Sequence, residues 1–174
     1  MSHTSEMEIR ALDRTDADAY WNLRQEALQM EPFAYGTSAE AYLTTTVKEA
    51  AERIGSLSPD GFLLGALDEG ALVGMAMFER ETGAKERHKG HIRGVYLRAA
   101  YRGQGIGHKL VAALLDRAKN DPSLEQILLA VGTRQQAALH LYRQFGFVLY
   151  GTEPRAIKVG SAYADEEQMI LMLR

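Results

Sequence analysis

Arg102-Gly103-Gln104-Gly105-Ile106-Gly107 decides how this chain is read. It stands between the apolar run Val95-Tyr96-Leu97 and a stretch in which Ile106, Leu110, Val111, Leu114, Leu115 and Ala118 recur. Residues at that spacing share one face of an α-helix, so the order is strand, tight turn, helix. Glycine has no Cβ and lets backbone N–H groups converge on one concave space. The first helical turn adds N–H groups without internal partners and the positive end of the helix dipole. Together they form a seat for phosphate-like anions, with Arg102 expected to place a fixed positive charge at its edge. A dinucleotide loop, G-x-G-x-x-G, would need glycine where His108 stands, and a P-loop would need Gly-Lys-Ser/Thr where the chain has Gly107-His108. A plain turn that needs positive φ stays open as the alternative.

Upstream, residues 91–97 read as the strand entering the turn, with Gly94 marking a bulge or a close backbone approach. Residues 62–67 and 72–78 are apolar strands joined by the turn signal Asp68-Glu69-Gly70. Residues 7–12 form a first strand, and Thr15 or Asp16 caps a helix carrying Tyr20, Leu23, Ala27 and Leu28. A loop over residues 31–38 carries Phe33 and Tyr35, which either line an acceptor pocket or anchor the loop; residues 46–55 make a shorter helix. Downstream, residues 127–131 are continuously apolar, as a strand buried on both faces would be. Strand, helix, strand in that order implies a parallel, right-handed crossover. A helix over residues 135–145 ends at Gly146, and residues 147–151 and 168–173 are late strands. The acids at 165–167 are expected to precede the last strand.

Composition sets the bounds. At 174 residues the chain is one domain with room for a core, here 46% hydrophobic and 25% charged. A net charge of −3 argues against a protein built to coat nucleic acid. With no cysteine, disulfides, thiolate-bound zinc and thiol catalysis are excluded. No apolar run reaches the roughly 18 residues of a membrane span. Residues 1–8 are short and polar, without a signal-peptide core, so the expected compartment is the cytoplasm. Residues 1–6 are expected to be a disordered start or an expression remnant. The histidine spacings form no metal-ligand set, so no metal is expected.

With these residues in place, the chain resembles the GNAT superfamily of acyl-CoA N-acyltransferases. That family's pyrophosphate loop, Arg/Gln-x-x-Gly-x-Gly/Ala, is matched by Arg102, Gly105 and Gly107. Its later motif, Asn-x-x-Ala-x-x-Leu-Tyr followed by Gly-Phe, is matched by Ala138, Leu141, Tyr142, Gly146 and Phe147, with Gln135 in place of Asn. The resemblance implies a single-domain α/β fold: a twisted mixed sheet with flanking helices, in which a central parallel strand pair splays apart. It implies acetyl-CoA as co-substrate, a primary amine on a small molecule or peptide as acceptor, and a homodimer as the family's assembly. It also implies that pantetheine pairs with Val95, Tyr96 and Leu97 like an added strand. The diphosphate would then lie on the amides of Arg102, Gly103, Gln104, Gly105, Ile106, Gly107 and His108, with Gln135 and Ala138 beside the pantetheine. Tyr142 would protonate the departing thiolate.

A base must take the amine's proton. The family often uses a glutamate on the strand over residues 91–97, and none is there. His91 is the nearest titratable group, with an ordinary pKa of about 6.5; Glu79 and Glu81 are alternatives. A non-catalytic acyl-CoA sensor on the same fold is the competing reading, kept open by Gln135 and by the missing glutamate.

Overall fold

The computed structural model describes residues 6–174. The expectation for the first residues therefore lies almost wholly outside the described residues, Glu6 being exposed and in no element. One seven-stranded sheet runs in the order β1-β2-β3-β4-β5-β7-β6. Its strands are β1 (Glu8–Ala11), β2 (Gly61–Asp68), β3 (Ala71–Arg80), β4 (Lys89–Leu97), β5 (Gln126–Gly132), β6 (Val148–Val159) and β7 (Ala162–Met172). Helices α1 (Ala17–Met30), α2 (Ala39–Tyr42) and α3 (Val47–Leu57) precede the central strands; α4 (Ile106–Ala118) and α5 (Gln136–Gln144) follow β4 and β5.

Alternation along the strands feeds two cores. Leu64, Ala66, Ile92 and Phe78 pack with Leu110, Leu114 and Leu139 beneath α4 and α5. Leu63, Leu67, Met75 and Met77 pack with Leu23, Ala27 and Ile54 beneath α1 and α3. Ile106, Leu110, Val111, Leu114, Leu115 and Ala118 are all buried, so the apolar stripe that marks α4 in the sequence is the stripe that meets the sheet. Each of the larger side chains, Ala118 apart, contributes about 1.5–3 kcal/mol of burial. The β2–β3 turn takes positive φ at Glu69 and Gly70, as its turn signal implies.

Helix starts differ in detail from the expectation. Asp16 stands at the N-cap of α1, one of the two positions expected, but makes no side-chain cap bond there. Asp13 caps the short 3-10 turn before it, and Asp16 closes a capping box with it. Arg10 holds that same carboxylate with two 2.8 Å bonds. Thr46 and Glu49 form a second capping box at the head of α3. The late strands are longer than expected: β6 and β7 form a hairpin of 12 and 11 residues. The acids at 165–167 thus lie within β7, where Glu166 and Glu167 pair with Glu153 and Thr152 on β6 and with Gly132 and Val131 on β5.

The feature that positions the site is in the middle of the sheet. β4 and β5 run parallel but pair over only three positions, Lys89↔Gln126, Gly90↔Ile127 and His91↔Leu128. Beyond them each strand stays bonded to its outer neighbour, β4 to β3 and β5 to β7, while the two inner edges part. Gly94 sits where they part. It has φ +60°, and the β3 register slips there, Met77 facing Arg93 and Met75 facing Tyr96. This bulge swaps side-chain parity: Ile92 and Val95, three residues apart, both pack on the α4 side, whereas Tyr96 joins the other core.

Candidate active site

The parted strands enclose a cleft of about 420 Å³. One wall is β4 from Ile92 to Leu97 and the other is β5 from Leu129 to Gly132. Ala138, Leu141 and Tyr142 of α5 close one side, and Arg102, Gly103, Gly105, Gly107 and His108 form one end. Unpaired strand edges facing each other across such a gap offer backbone donors and acceptors to an extended guest.

At the glycine end, Gly103 and Gly105 have φ of +73° and +79°, and a Cβ on either would meet nothing within 4 Å. Arg102 N–H bonds back to Ala99, and the next backbone amide with a backbone partner is that of Lys109, on Gly105. The amides of residues 103–108 are thus free among the described residues, at the positive end of a 13-residue helix. That cradle fits a diphosphate. Arg102 itself is committed elsewhere: its Nε donates to the Leu97 carbonyl (2.8 Å) and its Nη2 meets Glu31 (2.7 Å). It ties the glycine turn to the loop after α1 rather than standing free at the edge. Gln104 bonds to the Ala100 carbonyl and Ile106 faces the core, so these two can contribute only through their amides.

Tyr142 reaches the cleft from α5. The residue is 4% exposed, packs edge-on against Phe147, and its hydroxyl has no hydrogen-bond partner among the described residues. Burial pushes its phenol well above the ordinary range, so it is neutral and carries its proton at any working pH. Gln135 caps α5, accepting from Leu139 N–H through its backbone, and its side chain and Ala138 both line the cleft. Tyr35 crosses over β4 and donates a 2.7 Å hydrogen bond to the Val95 carbonyl. Tyr96 points the other way, to Glu26, and burial together with that carboxylate lifts its phenol to about 12.

His91 is not brought to the cleft. It sits at the last paired position of β4, its Nε2 is 2.7 Å from Glu81, and neither residue lines the space. Glu79 does line a neighbouring space. A second pocket of about 370 Å³ lies between α1, α3 and the sheet, and it shares Arg93 and Gly94 with the cleft. Tyr20, Arg24, Tyr42, Glu49, Arg53 and Glu79 surround it. Its lining comes from widely separated positions on α1, α3, β3 and β4, which no local spacing in the sequence announces. Among the described residues no group of three or more acids and histidines could hold a metal, and no helix is long and apolar enough to cross a membrane.

Comparison with known proteins agrees with this geometry. A family model described as "Acetyltransferase (GNAT) family" matches residues 19–147. The chain is 36% identical over 107 residues to "N-alpha-acetyltransferase RimI" of Mycobacterium tuberculosis, a stretch covering 62% of this chain and 65% of that protein. The chain thus spans just under two thirds of that relative's length. Among solved structures, an acetyltransferase of the GNAT family from Streptococcus pneumoniae superposes with a TM-score of 0.87 at 22% identity, covering 97% of this chain and 100% of the other. The putative acetyltransferase yncA from Salmonella typhimurium, solved with its cofactor acetyl-CoA, gives 0.82 at 22% identity over 98% and 95%. At such identities the structures speak for the fold. The family match covers most of the chain, and with it the glycine turn, the splayed strands and Tyr142: this chain belongs to the acetyltransferase (GNAT) family.

Proposed function

We propose that this protein transfers an acetyl group from acetyl-CoA to a primary amine by direct attack. The observation that carries the reading is the cleft itself, with free amides at one end, parted strand edges along it and an unbonded, neutral phenol in its wall. Acetyl-CoA supplies a thioester. The amine lone pair forms the C–N bond, the C–S bond breaks with its electrons on sulfur, one proton leaves nitrogen and one joins sulfur.

The chain's residues divide this work. The amides of residues 103–108 hold the diphosphate, and the β4 edge from Val95 to Leu97 holds the pantetheine arm. Tyr142 gives its proton to the sulfur. A thiolate in the same apolar cleft is also raised by desolvation, which narrows the gap to a phenol of high pKa. The amine enters through the second pocket, whose opening at Gly94 meets the cleft. We assign receipt of the amine's proton to Glu79, through water, in preference to His91, because Glu79 lines that pocket and His91 lines neither space. Arg53 (2.5 Å) and Arg93 (3.6 Å) hold Glu79 in place.

The test is acetyl-CoA binding by thermal shift, followed by thiol release against a panel of amines. A chain that acetyl-CoA does not stabilise, and that releases no thiol with any amine, is not an acyltransferase. Stabilisation without turnover would favour the sensor reading.

A further inference from the structure

Arg24 is the unexplained charge of the second pocket. It projects from α1, its guanidinium lies 4.8 Å from the Tyr35 ring centre, and its Nη1 would be 3.7 Å from a Cβ on Gly94. That nitrogen is enclosed and has no hydrogen-bond partner. Among the described residues Arg24 makes no ion pair or hydrogen bond. An enclosed, charged N–H donor without a partner is costly, and arginine cannot shed its proton to escape the cost.

The carboxylates around it are engaged elsewhere. Glu49 is held by the backbone and hydroxyl of Thr46 (2.6 and 3.1 Å), and Glu79 by Arg53 and Arg93. Glu26 pairs with Arg98 and Tyr96, and Glu31 with Arg102. The pocket lining therefore holds three guanidiniums, Arg24, Arg53 and Arg93, against two carboxylates, Glu49 and Glu79. The unmatched charge is the one beside the bulge, where pocket and cleft meet.

We propose that Arg24 binds a carboxylate of the acceptor, and that the acceptor is a free amino acid. This rests on the acyltransferase reading and names its substrate class. A carboxylate bound at Nη1 leaves an amine a few bond lengths away directed at Gly94, where the thioester end of the cleft opens. A protein N-terminus has an amide at that position and leaves the guanidinium unmatched. Arg24 is thus a specificity residue for the amine side and touches nothing of the donor's diphosphate seat.

The experiment uses the full chain with acetyl-CoA and the common L-amino acids, each preferred one compared with its amide, its decarboxylated amine and a short peptide beginning with it. The expected result is an advantage of about 100-fold in kcat/KM for the free amino acid, as for loss of a charge-assisted contact. R24Q removes that advantage through KM, R24K keeps part of it, and acetyl-CoA affinity reports that both variants are folded. A binding arm, the Tm shift from L-leucine against leucinamide in the presence of CoA, reads the carboxylate seat without turnover. Equal or better use of amides or peptides by the wild type overturns the inference and leaves the acyltransferase reading standing. So does an R24Q that slows every amine alike. Loss of all thiol release and of acetyl-CoA binding strikes the acyltransferase reading itself, while the leucine arm still decides the carboxylate seat.

Discussion

Gly105→Ala separates backbone strain from anion binding. Gly105 has φ +79°, and the added methyl group meets no atom within 4 Å, so its cost to the fold is conformational alone. Holding a non-glycine residue in that left-handed region costs about 1–2 kcal/mol. At about 2–4 °C per kcal/mol for a chain of this size, Tm falls by about 2–8 °C. Gly70→Ala is the matched control: φ is +83°, space is again open, and the residue lies in the β2–β3 turn, away from the cleft. Both variants should lose similar stability. Only Gly105→Ala should lose acetyl-CoA affinity, because its methyl group stands among amides that must reach an anion. Weakening one or two charge-assisted contacts is worth about 10- to 100-fold in Kd. Calorimetric titration with acetyl-CoA and with CoA, beside a thermal melt of each variant, reads both quantities. If the two variants bind acetyl-CoA equally well, the cradle over residues 103–108 is not the diphosphate seat.

Tyr142→Phe keeps the buried ring and removes only the hydroxyl; kcat should fall about 100-fold with acetyl-CoA affinity nearly unchanged, and stopped-flow thiol release checks it. In the wild type, burial raises this phenol, so no loss of activity from its ionisation is expected up to its ordinary value of 10, and a fall centred below it would contradict the assignment. Glu79→Gln should lower kcat/KM at pH 7 about 100-fold with acetyl-CoA affinity nearly unchanged, whereas His91→Ala should leave turnover in place; the reverse pattern returns the base to His91. Asp16→Asn tests the first capping box. Arg10 holds this carboxyl below its ordinary 3.8, so its contribution is full above that value and is lost as pH falls through the lowered one. The variant should cost about 1 kcal/mol at pH 7 and progressively less below pH ~4, by denaturant unfolding.

The α4 stripe and the glycine turn were legible because local rules decide them: 3.6-residue periodicity and positive φ act within a few residues. The same holds for Gly146, which has φ +93°, and for the bulge at Gly94. β6 and β7 were read short because a charged edge hairpin shows no apolar alternation; Glu153 and Glu166 face each other across it. One-turn α2 has too few residues for a period to show. Within the site, Tyr142 and the free amides follow from motif spacing, whereas the engagement of Arg102 by Glu31 does not, since the two stand far apart in the sequence. Nothing in the local pattern sets Arg24 apart from the other polar residues of α1. Only the fold shows that its neighbours have all found other partners.

The brevity of the β4–β5 pairing has a mechanical consequence. Three residue pairs fasten strands β1–β4 to strands β5–β7 within the sheet. Such a short seam works as a hinge, about which the two blocks can scissor while each keeps its own ladder intact. What resists that rotation is the core beneath α4, which takes Leu64 and Ile92 from one block and Ile127 and Met169 from the other. Hydrogen exchange at Leu128 and Gly90 would register that motion, slowing when a guest wedges the blocks and fixes their angle.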